Sequence, residues 1–207
     1  MPHDFRRQSL RLQSYNYTQP GYYHTIIATQ LGRPCFGEVV AGEMHLNTLG
    51  QIAQDCLLSL PTRFSNMELD HFVVMPNHVH ALILLTESLS RPSACTGQMP
   101  TRFQPYWRTL ESEQSPIGAV PLYEMMRTFK ALTSYHVRRK GQMPSFAWQS
   151  GYYERILAEN ERFLDNVRQY ISNNPLKWEL QCQQWEAAGF RWTRVPRYEA
   201  RSANEPG

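Results

Sequence analysis

The clearest pattern along the chain is a pair of short apolar runs, residues 72–74 and 79–85, separated by the tripeptide Met-Pro-Asn. Both runs are rich in Val, Ile and Leu, and a Pro-Asn break between such runs indicates two strands joined by a tight connection. His78 and His80 stand at the start of the second run. Because strand side chains alternate between the two faces of a sheet, these imidazoles are predicted to point the same way.

Similar patterns predict further elements on both sides of this pair. The aromatic and β-branched residues 22–30 predict a strand, and residues 36–46 predict a small hairpin. Apolar positions at helical spacing predict a helix over residues 47–60, ended by Pro61. The aromatic-rich residues 145–156 predict a turn followed by a short strand. The chain is therefore predicted to contain both strands and helices.

Two helices are predicted in the second half of the chain. Pro121 opens the first, whose charged positions form a basic surface of Arg127, Lys130, Arg138, Arg139 and Lys140. The second follows Asn160 as its cap and is predicted to end at Pro175. Tyr170 lies at the margin of its apolar stripe and Asn174 lies four residues later. A phenol and an amide are therefore predicted to project together from the last turn of this helix.

Composition limits the class of protein. With 207 residues and 42% hydrophobic content, the chain fits one globular domain with irregular segments. The net charge of +3 is compatible with nucleic-acid binding but does not require it. The cysteines are scattered, which argues against a zinc ribbon or a disulfide framework: Cys35, Cys56, Cys95 and Cys182. Without an apolar run of membrane-spanning length or a signal peptide, a cytoplasmic protein with no membrane partner is expected.

The polar segments divide the chain into three parts. Residues 1–20 are predicted to be a basic N-terminal arm, residues 21–180 a folded domain, and residues 181–207 a C-terminal tail. A polar helix is also predicted around residues 180–188. Within the domain, residues 86–118 are rich in Ser, Thr, Pro and Gln and lack a helical or strand period, so they are expected to form a long loop.

The candidate chemistry at this point allows more than one interpretation. Neutral imidazole is the commonest side-chain metal ligand, so His78 and His80 could hold a divalent cation; they could equally be two hydrogen-bonded structural histidines. A tyrosine beside an apolar stripe, such as Tyr170, is more often a packing residue than a nucleophile. The arginines of the arm, Arg6 and Arg7, could lie along DNA phosphates or form a solvated terminus. The basic surface of the helix that begins at Pro121 could likewise bind phosphates or be a solvated face.

Three segments in combination resemble a known family. FVVMPNHVHALILL, WQSGYYERI and QYISNNPLKW are similar to motifs of the REP-associated tyrosine transposases, single-tyrosine members of the HUH endonuclease superfamily related to the smallest insertion-sequence transposases. The resemblance covers about residues 6–178, apart from residues 86–117. It implies an α+β domain with the HUH nuclease fold, in which a ferredoxin-like antiparallel sheet is flanked by helices. It also implies cleavage and rejoining of single-stranded DNA at palindromic hairpins through a 5′-phosphotyrosine, with Mg²⁺ or Mn²⁺ as cofactor.

The resemblance assigns roles to individual residues. It implies that Tyr170 is the nucleophile and that His78, His80 and Asn174 are the metal ligands. Such a protein would bind DNA through Arg6, Arg7, Arg127, Lys130, Arg138 and Arg139, as a monomer or a homodimer. The chain departs from the family at Arg155, where many relatives carry His.

Several alternatives follow from the same residues. The Arg155 departure favours a domesticated hairpin DNA-binding protein that does not cut. A metal-dependent hydrolase unrelated to DNA would combine the histidine pair with a carboxylate such as Glu154. Other tyrosines could also serve as the nucleophile, namely Tyr135, Tyr152 and Tyr153; only the family register selects Tyr170.

Overall fold

The computed structural model of the chain describes residues 19–87, 120–140, 143–157 and 160–189. Within these ranges the chain forms, in order, β1 (Gly21–Ala28), β2 (Gly37–Val40), β3 (Glu43–Leu46), α1 (Thr48–Leu58), α2 (Leu60–Arg63), β4 (Met67–Val74), β5 (His78–Leu85), α3 (Leu122–Arg139), β6 (Tyr153–Leu157), α4 (Glu161–Ser172) and α5 (Asn174–Ala187). A short 3-10 turn, Gln30–Gly32, follows β1. None of the described helices is long and apolar enough to cross a membrane.

The main sheet has four strands in the order β4-β5-β1-β6, and every neighbouring pair is antiparallel. With α1 between β1 and β4, and α3 between β5 and β6, the chain follows a β-α-β-β-α-β path. This path and strand order are those of a ferredoxin-like domain, so the predicted α+β fold is confirmed. The predicted hairpin is also present, since β2 and β3 pair with each other outside the main sheet.

One side of the sheet, which we call the core face, carries Tyr23, Ile27 and Val79. It is covered by α1 and α3, and together they bury a single large apolar cluster. Because alternate residues of β5 reach this face, the strand contributes a continuous row of Val79, Ala81, Ile83 and Leu85, each fully buried. The regular alternation of β5 therefore fixes which of its side chains hold the fold together.

The opposite side, which we call the histidine face, carries His24, His78 and His80. It is covered by α4, which packs on β4 and β5. A smaller apolar cluster forms the contact between helix and sheet, and its buried members are Leu82, Leu157, Leu164 and Ile171. The helix that bears Tyr170 is thus held by its own apolar stripe against the side of the sheet that carries the histidine pair.

Polar contacts fix the position of α4 along β4. The pairing of β4 with β5 shifts register between Leu69 and His71, and Asp70 lies at this irregularity. Its carboxylate accepts two hydrogen bonds from Arg168 of α4, at 2.8 and 2.7 Å. One turn later, a ring nitrogen of His71 lies 2.8 Å from the Ser172 hydroxyl oxygen. Bidentate arginine–carboxylate pairs restrict geometry as well as adding energy, so these contacts set the height of Tyr170 on the sheet.

Three predicted boundaries are wrong, and proline explains each of them. The first predicted helix ends at Leu58, and Pro61 lies in the first turn of α2 instead of stopping α1. The helix that bears Tyr170 ends at Ser172, so Asn174 begins α5 and does not lie in the last turn of α4. The polar helix predicted from residue 180 consequently starts at Asn174, with Pro175 in its first turn. Proline needs no backbone donor there, so it can open a helix as readily as end one.

A candidate site between the paired histidines and Tyr170

The histidine pair lies at the start of β5, on the histidine face as predicted. The Nε2 atoms of His78 and His80 face each other at 3.0 Å, and the ring centroids are 4.8 Å apart. His80 has no exposed surface. Two imidazole nitrogens therefore converge on one point at the end of the sheet that adjoins the Asn77 turn.

A third histidine, which the sequence interpretation missed, completes this group. His24 of β1 is buried, and its Nε2 lies 3.1 Å from Nδ1 of His80. The two rings are stacked, with centroids 5.3 Å apart and an interplanar angle of 13°. Strand pairing brings them together, because Ile26 lies opposite His80 and His24 is two residues further along the same face. The only signal in the sequence was a polar residue inside an otherwise apolar strand.

Asn77, at the turn between β4 and β5, holds the other end of the group. Its Oδ1 lies 2.6 Å from Nδ1 of His78. Its Nδ2 donates to the carbonyl oxygen of Gly32 at 3.0 Å, which joins it to the turn after β1. Its own carbonyl oxygen accepts from the backbone N–H of Thr29. Asn77 is itself buried, so His78 is oriented by a side chain that cannot easily rotate.

The surroundings keep all three imidazoles neutral at pH 7. Burial, followed by the positive charge of Arg155, lowers the pKa of His24 to about 4. Burial lowers the pKa of His78 to about 4. The pKa of His80 lies well below its usual value, first because of burial and then because of His78 and His24; a side-chain hydrogen bond with Asn174 opposes this shift. Neutral imidazoles have lone pairs available for a cation.

The structure brings Tyr170 to this group. Its half-buried ring stands edge-on to His80 and His24, with centroids 5.7 and 6.0 Å apart. Asn174 is tied to the same place, since its Nδ2 donates to the Tyr170 carbonyl oxygen at 2.9 Å. The amide oxygen of Asn174 is then the end of that side chain with acceptor capacity left for His80 or an ion. Two separate helices thus deliver the tyrosine and the asparagine to the paired histidines.

Two residues of α5 that were not predicted also line the site. The ammonium nitrogen of Lys177 lies 4.3 Å from the centroid of the Tyr170 ring, a cation–π contact. The ring of Trp178 lies 5.9 Å from that of His78. Lys177 places a positive charge beside the tyrosine, where a phosphate would need one. Their common signal in the sequence was the Lys-Trp pair that closes the QYISNNPLKW segment.

The donor geometry fits a divalent cation. Two nitrogen ligands at about 2.1 Å from one ion, at right angles to each other, are about 3.0 Å apart. This is the separation of the two Nε2 atoms. In the part of the chain that the structure describes, no three His, Cys, Asp or Glu side chains form a group able to hold a metal. A third protein ligand of a cation at this point would have to be of another kind, and the Asn174 side chain, which hydrogen-bonds to His80, is the candidate that was predicted.

The hydrolase alternative fails on geometry. Glu154 lies opposite Thr25 in the pairing of β1 with β6, whereas Arg155 lies opposite His24. Because neighbouring residues of a strand point to opposite faces, Glu154 points to the core face, away from the histidine pair. The guanidinium of Arg155 instead lies over the ring of Phe163, 5.6 Å from its centroid.

The predicted basic surface lies elsewhere in the molecule. Arg127, Lys130, Arg138 and Arg139 belong to α3, which covers the core face. Lys130 donates to the carbonyl oxygens of Gln149 and Gly151, and burial lowers its pKa. Arg138 donates twice to the carbonyl oxygen of Phe146. These two side chains therefore hold the segment before β6, and their predicted role in DNA binding stays a prediction.

The remaining predicted residues are arginines and tyrosines that lie in several parts of the chain. Arg127 is paired with Glu124 at 2.6 Å, and Arg139 donates to the Tyr135 hydroxyl oxygen at 2.6 Å. Tyr135 thus lies on α3, and Tyr152 packs against the core-face cluster. Tyr153 is on the histidine face, separated from His80 by Ile26. Arg6, Arg7, residues 88–118 of the long loop and residues 190–207 of the tail lie outside the described residues.

Comparison with known proteins finds similarity both in sequence and in structure. No family model matches the chain. An uncharacterized protein of Haemophilus influenzae is 31% identical over 173 residues, which are 84% of this chain and 90% of that protein. The fold is similar to that of the REP-associated tyrosine transposase bound to a REP hairpin, with a TM-score of 0.43 and 15% identity over 81% of this chain and 74% of that one. A candidate transposase from Deinococcus radiodurans R1 has a TM-score of 0.41 and 18% identity over 79% of this chain and 95% of that one.

Proposed function

The chain belongs to the same protein family as its Haemophilus influenzae relative, and for this family member we propose a transposase-like function. It cleaves and rejoins single-stranded DNA at palindromic hairpins, with Tyr170 as the nucleophile. The proposal rests on the motif resemblance described above and on one geometric observation. The ring of Tyr170 packs directly against the buried imidazoles of His24 and His80, beside the converging Nε2 atoms of His78 and His80.

The reaction can be written from these groups. The Tyr170 oxygen attacks the scissile phosphorus and forms a phosphotyrosine, while the bond from phosphorus to the 3′ oxygen breaks. The tyrosine loses its proton and the departing 3′ oxygen gains one, so the product is a 5′-phosphotyrosine and a free 3′ hydroxyl. One phosphoester replaces another, and the step can therefore run backwards to join strands.

The chain's own residues position the reactants. His78, His80 and Asn174 would hold a divalent cation, Mg²⁺ or Mn²⁺, whose chemistry when bound is to polarise the phosphate and offset its charge. Lys177 adds a positive charge 4.3 Å from the centroid of the Tyr170 ring. Imidazole suits Mn²⁺ better than Mg²⁺, so Mn²⁺ is the better cofactor for a test. The contact between Tyr170 and His80 within one chain supports a site formed by a monomer.

A second candidate is a protein that binds the hairpin without cutting it. Arg155 favours it, because this residue lies directly across from His24 at the position where the resemblance implies a histidine. The two candidates share the DNA partner and differ only in the covalent step.

Covalent capture separates the two candidates. The protein would be incubated with Mn²⁺ and a library of single-stranded oligonucleotides, each with one palindromic stem and a label at its 3′ end. A 5′-phosphotyrosine leaves the label on the protein, and the adduct survives SDS. We expect the adduct with the unaltered chain and with Tyr153→Phe, and none with Tyr170→Phe, which should still retard the hairpin in a gel.

Each other outcome has a definite meaning. Hairpin retardation without an adduct in the unaltered chain would establish the second candidate. Capture that survives Tyr170→Phe and is lost in Tyr153→Phe would move the nucleophile to Tyr153. If no hairpin is retarded at low salt, the DNA partner itself is wrong.

A further inference from the structure

The hydrogen bonds of Asn77 determine where the proton of His78 lies. The Asn77 amide nitrogen must face the Gly32 carbonyl oxygen, because only the nitrogen can donate to it. The amide oxygen is then the end that faces Nδ1 of His78. A neutral His78 consequently carries its proton on Nδ1 and a lone pair on Nε2. This tautomer is fixed, since neither Asn77 nor the Gly32 carbonyl can exchange roles.

The tautomers of the other two histidines follow from that of His78. Its Nε2 lone pair faces Nε2 of His80 at 3.0 Å, so a hydrogen bond between these two atoms needs His80 to donate from Nε2. Nδ1 of a neutral His80 is then an acceptor, and the 3.1 Å contact requires His24 to donate from its own Nε2. The three rings form a directed chain of hydrogen bonds from His24 through His80 to His78.

The positions of the two Nε2 atoms fit a cation, but the proton on Nε2 of His80 does not. Such an ion needs lone pairs on both atoms, so His80 must move its proton to Nδ1. Nδ1 of His80 would then donate, and Nε2 of His24 would have to accept. His24 can change from donor to acceptor because imidazole has two tautomers. Asn77 cannot change its role towards His78, because its amide nitrogen is held by the Gly32 carbonyl oxygen.

We propose that His24 is a positioning residue that lets His80 become a metal ligand by reversing the hydrogen bond between His24 Nε2 and His80 Nδ1. This role rests on the cation site of the proposed function. In the reversal His80 releases the proton on Nε2 to solvent and takes the proton of His24 Nε2 on its Nδ1. His24 gains a proton from solvent on Nδ1, so no net charge is created. The partner that orients a ligating imidazole also sets its basicity, which gives His24 influence over the affinity of the site.

Nitrogen NMR of the histidines tests the reversal directly. The full chain would be labelled with ¹⁵N in its imidazoles and titrated at pH 7.5 with Zn²⁺, which is diamagnetic and binds imidazole. Without the ion we expect the proton on Nδ1 of His78 and on Nε2 of His80 and His24. With Zn²⁺ we expect His80 and His24 to become Nδ1–H tautomers while the tautomer of His78 is unchanged.

Two results of the titration would overturn the proposal. If His78 and His80 bind Zn²⁺ while His24 keeps its proton on Nε2, the positioning role is wrong although the cation site stands. If Zn²⁺ leaves the signals of His78 and His80 unchanged, the cation site is wrong and this role fails with it.

Substitution of His24 gives an independent measurement. Mn²⁺ affinity would be measured by electron paramagnetic resonance without DNA, so that activity is not the readout. We expect His24→Ala to weaken binding by about 10-fold to 100-fold, the range for lost partners of ligating histidines. His24→Gln keeps a side-chain acceptor for His80 and should recover part of the loss. His45→Gln, at an exposed histidine of β3, is the matched control and should bind as the unaltered chain does.

Folding is checked separately in these variants. Circular dichroism and melting temperature would show whether each variant is folded at the temperature of the measurement. If folded His24→Gln and His24→Ala both bind Mn²⁺ as tightly as the control, His24 does not position His80.

Discussion

The two faces of the sheet use the same strands for different purposes. On the core face, β5 places Val79, Ala81 and Ile83 into one apolar cluster under α1 and α3. On the histidine face, the alternate residue His80 meets His24 and Tyr170 under α4. The difference shows that the fold does not depend on the histidine face for most of its apolar burial. That face can therefore hold buried polar groups whose burial would be costly in the main core.

The largest effect that would sharpen this comparison is expected on the core face. Phe129 of α3 is fully buried in the larger cluster, and Phe129→Ala should lower the free energy of unfolding by about 3–5 kcal/mol. Phe163→Ala, at a half-buried position beside the smaller cluster, should cost clearly less. Urea denaturation followed by fluorescence measures both. Equal losses would show that the two faces contribute alike to stability.

A smaller effect is expected from acid, and it should come from the histidine face. The folded-state pKa of His24 is about 4, below its usual 6.5, so the folded state binds fewer protons than the unfolded state between these values. The contribution of His24 to the free energy of unfolding is complete above pH 6.5. It falls as the pH drops towards 4, by roughly 3 kcal/mol at most.

Unfolding free energies measured between pH 7.5 and 4.5 test this dependence. The decline should be shallower in His24→Gln, which has no titrating group at this position. An equally steep decline in the variant would assign the acid sensitivity to other residues.

The attachment of α4 should have a still smaller effect on stability but a visible one on the site. Asp70→Asn removes the charge that Arg168 meets with two hydrogen bonds, and we expect a loss of about 1–2 kcal/mol. Because this pair fixes the height of Tyr170, capture of the labelled hairpin should slow more than hairpin binding weakens. Glu161→Gln, which alters a more exposed partner of Arg168, is the control and should change neither by much. An unchanged rate of capture in Asp70→Asn would mean that the apolar stripe alone positions the helix.

The smallest expected effect is on the affinity for hairpin DNA, and it tests which face of the protein the DNA covers. Lys177→Gln should weaken hairpin binding several-fold and reduce the slope of log affinity against log salt by about 0.7, the value for one phosphate on a single strand. If the basic surface of α3 binds DNA, as predicted, Arg127→Gln should reduce the salt slope in the same way. A slope that falls only in Lys177→Gln would confine the DNA to the histidine face, and one that falls only in Arg127→Gln would place it along α3.

Local patterns were sufficient to predict the strands and the direction of the histidine pair. Alternation is a property of each strand alone, so His78 and His80 could be placed on one face from their spacing. His24 could not be assigned, because its contact with His80 depends on how β1 and β5 pair across 56 positions of the chain. Local pattern contains no information on the register of strands so far apart.

The wrong helix boundary at Pro175 and the contacts that were not predicted have a similar cause. Pro175 fits the end of one helix and the first turn of the next equally well, and only the backbone distinguishes them. The hydrogen bonds of Lys130 and Arg138 were not predicted because a sequence does not show that backbone carbonyls lie within reach. Arg155 could be recognised as a departure, but its position across from His24 required the pairing of β1 with β6.

The small β2–β3 hairpin has a consequence for Asn174 and Lys177. Helix α5 contacts both of its strands, Glu179 accepts from the backbone N–H of Ala41 at 3.1 Å, and Leu176 lies against Gly42. The hairpin therefore braces α5 in addition to the contacts of this helix with α4. Changes to the length of its turn at Ala41 and Gly42 would tilt α5 and move the amide and the ammonium group together, which gives engineers a remote adjustment of the site without altering any residue in it.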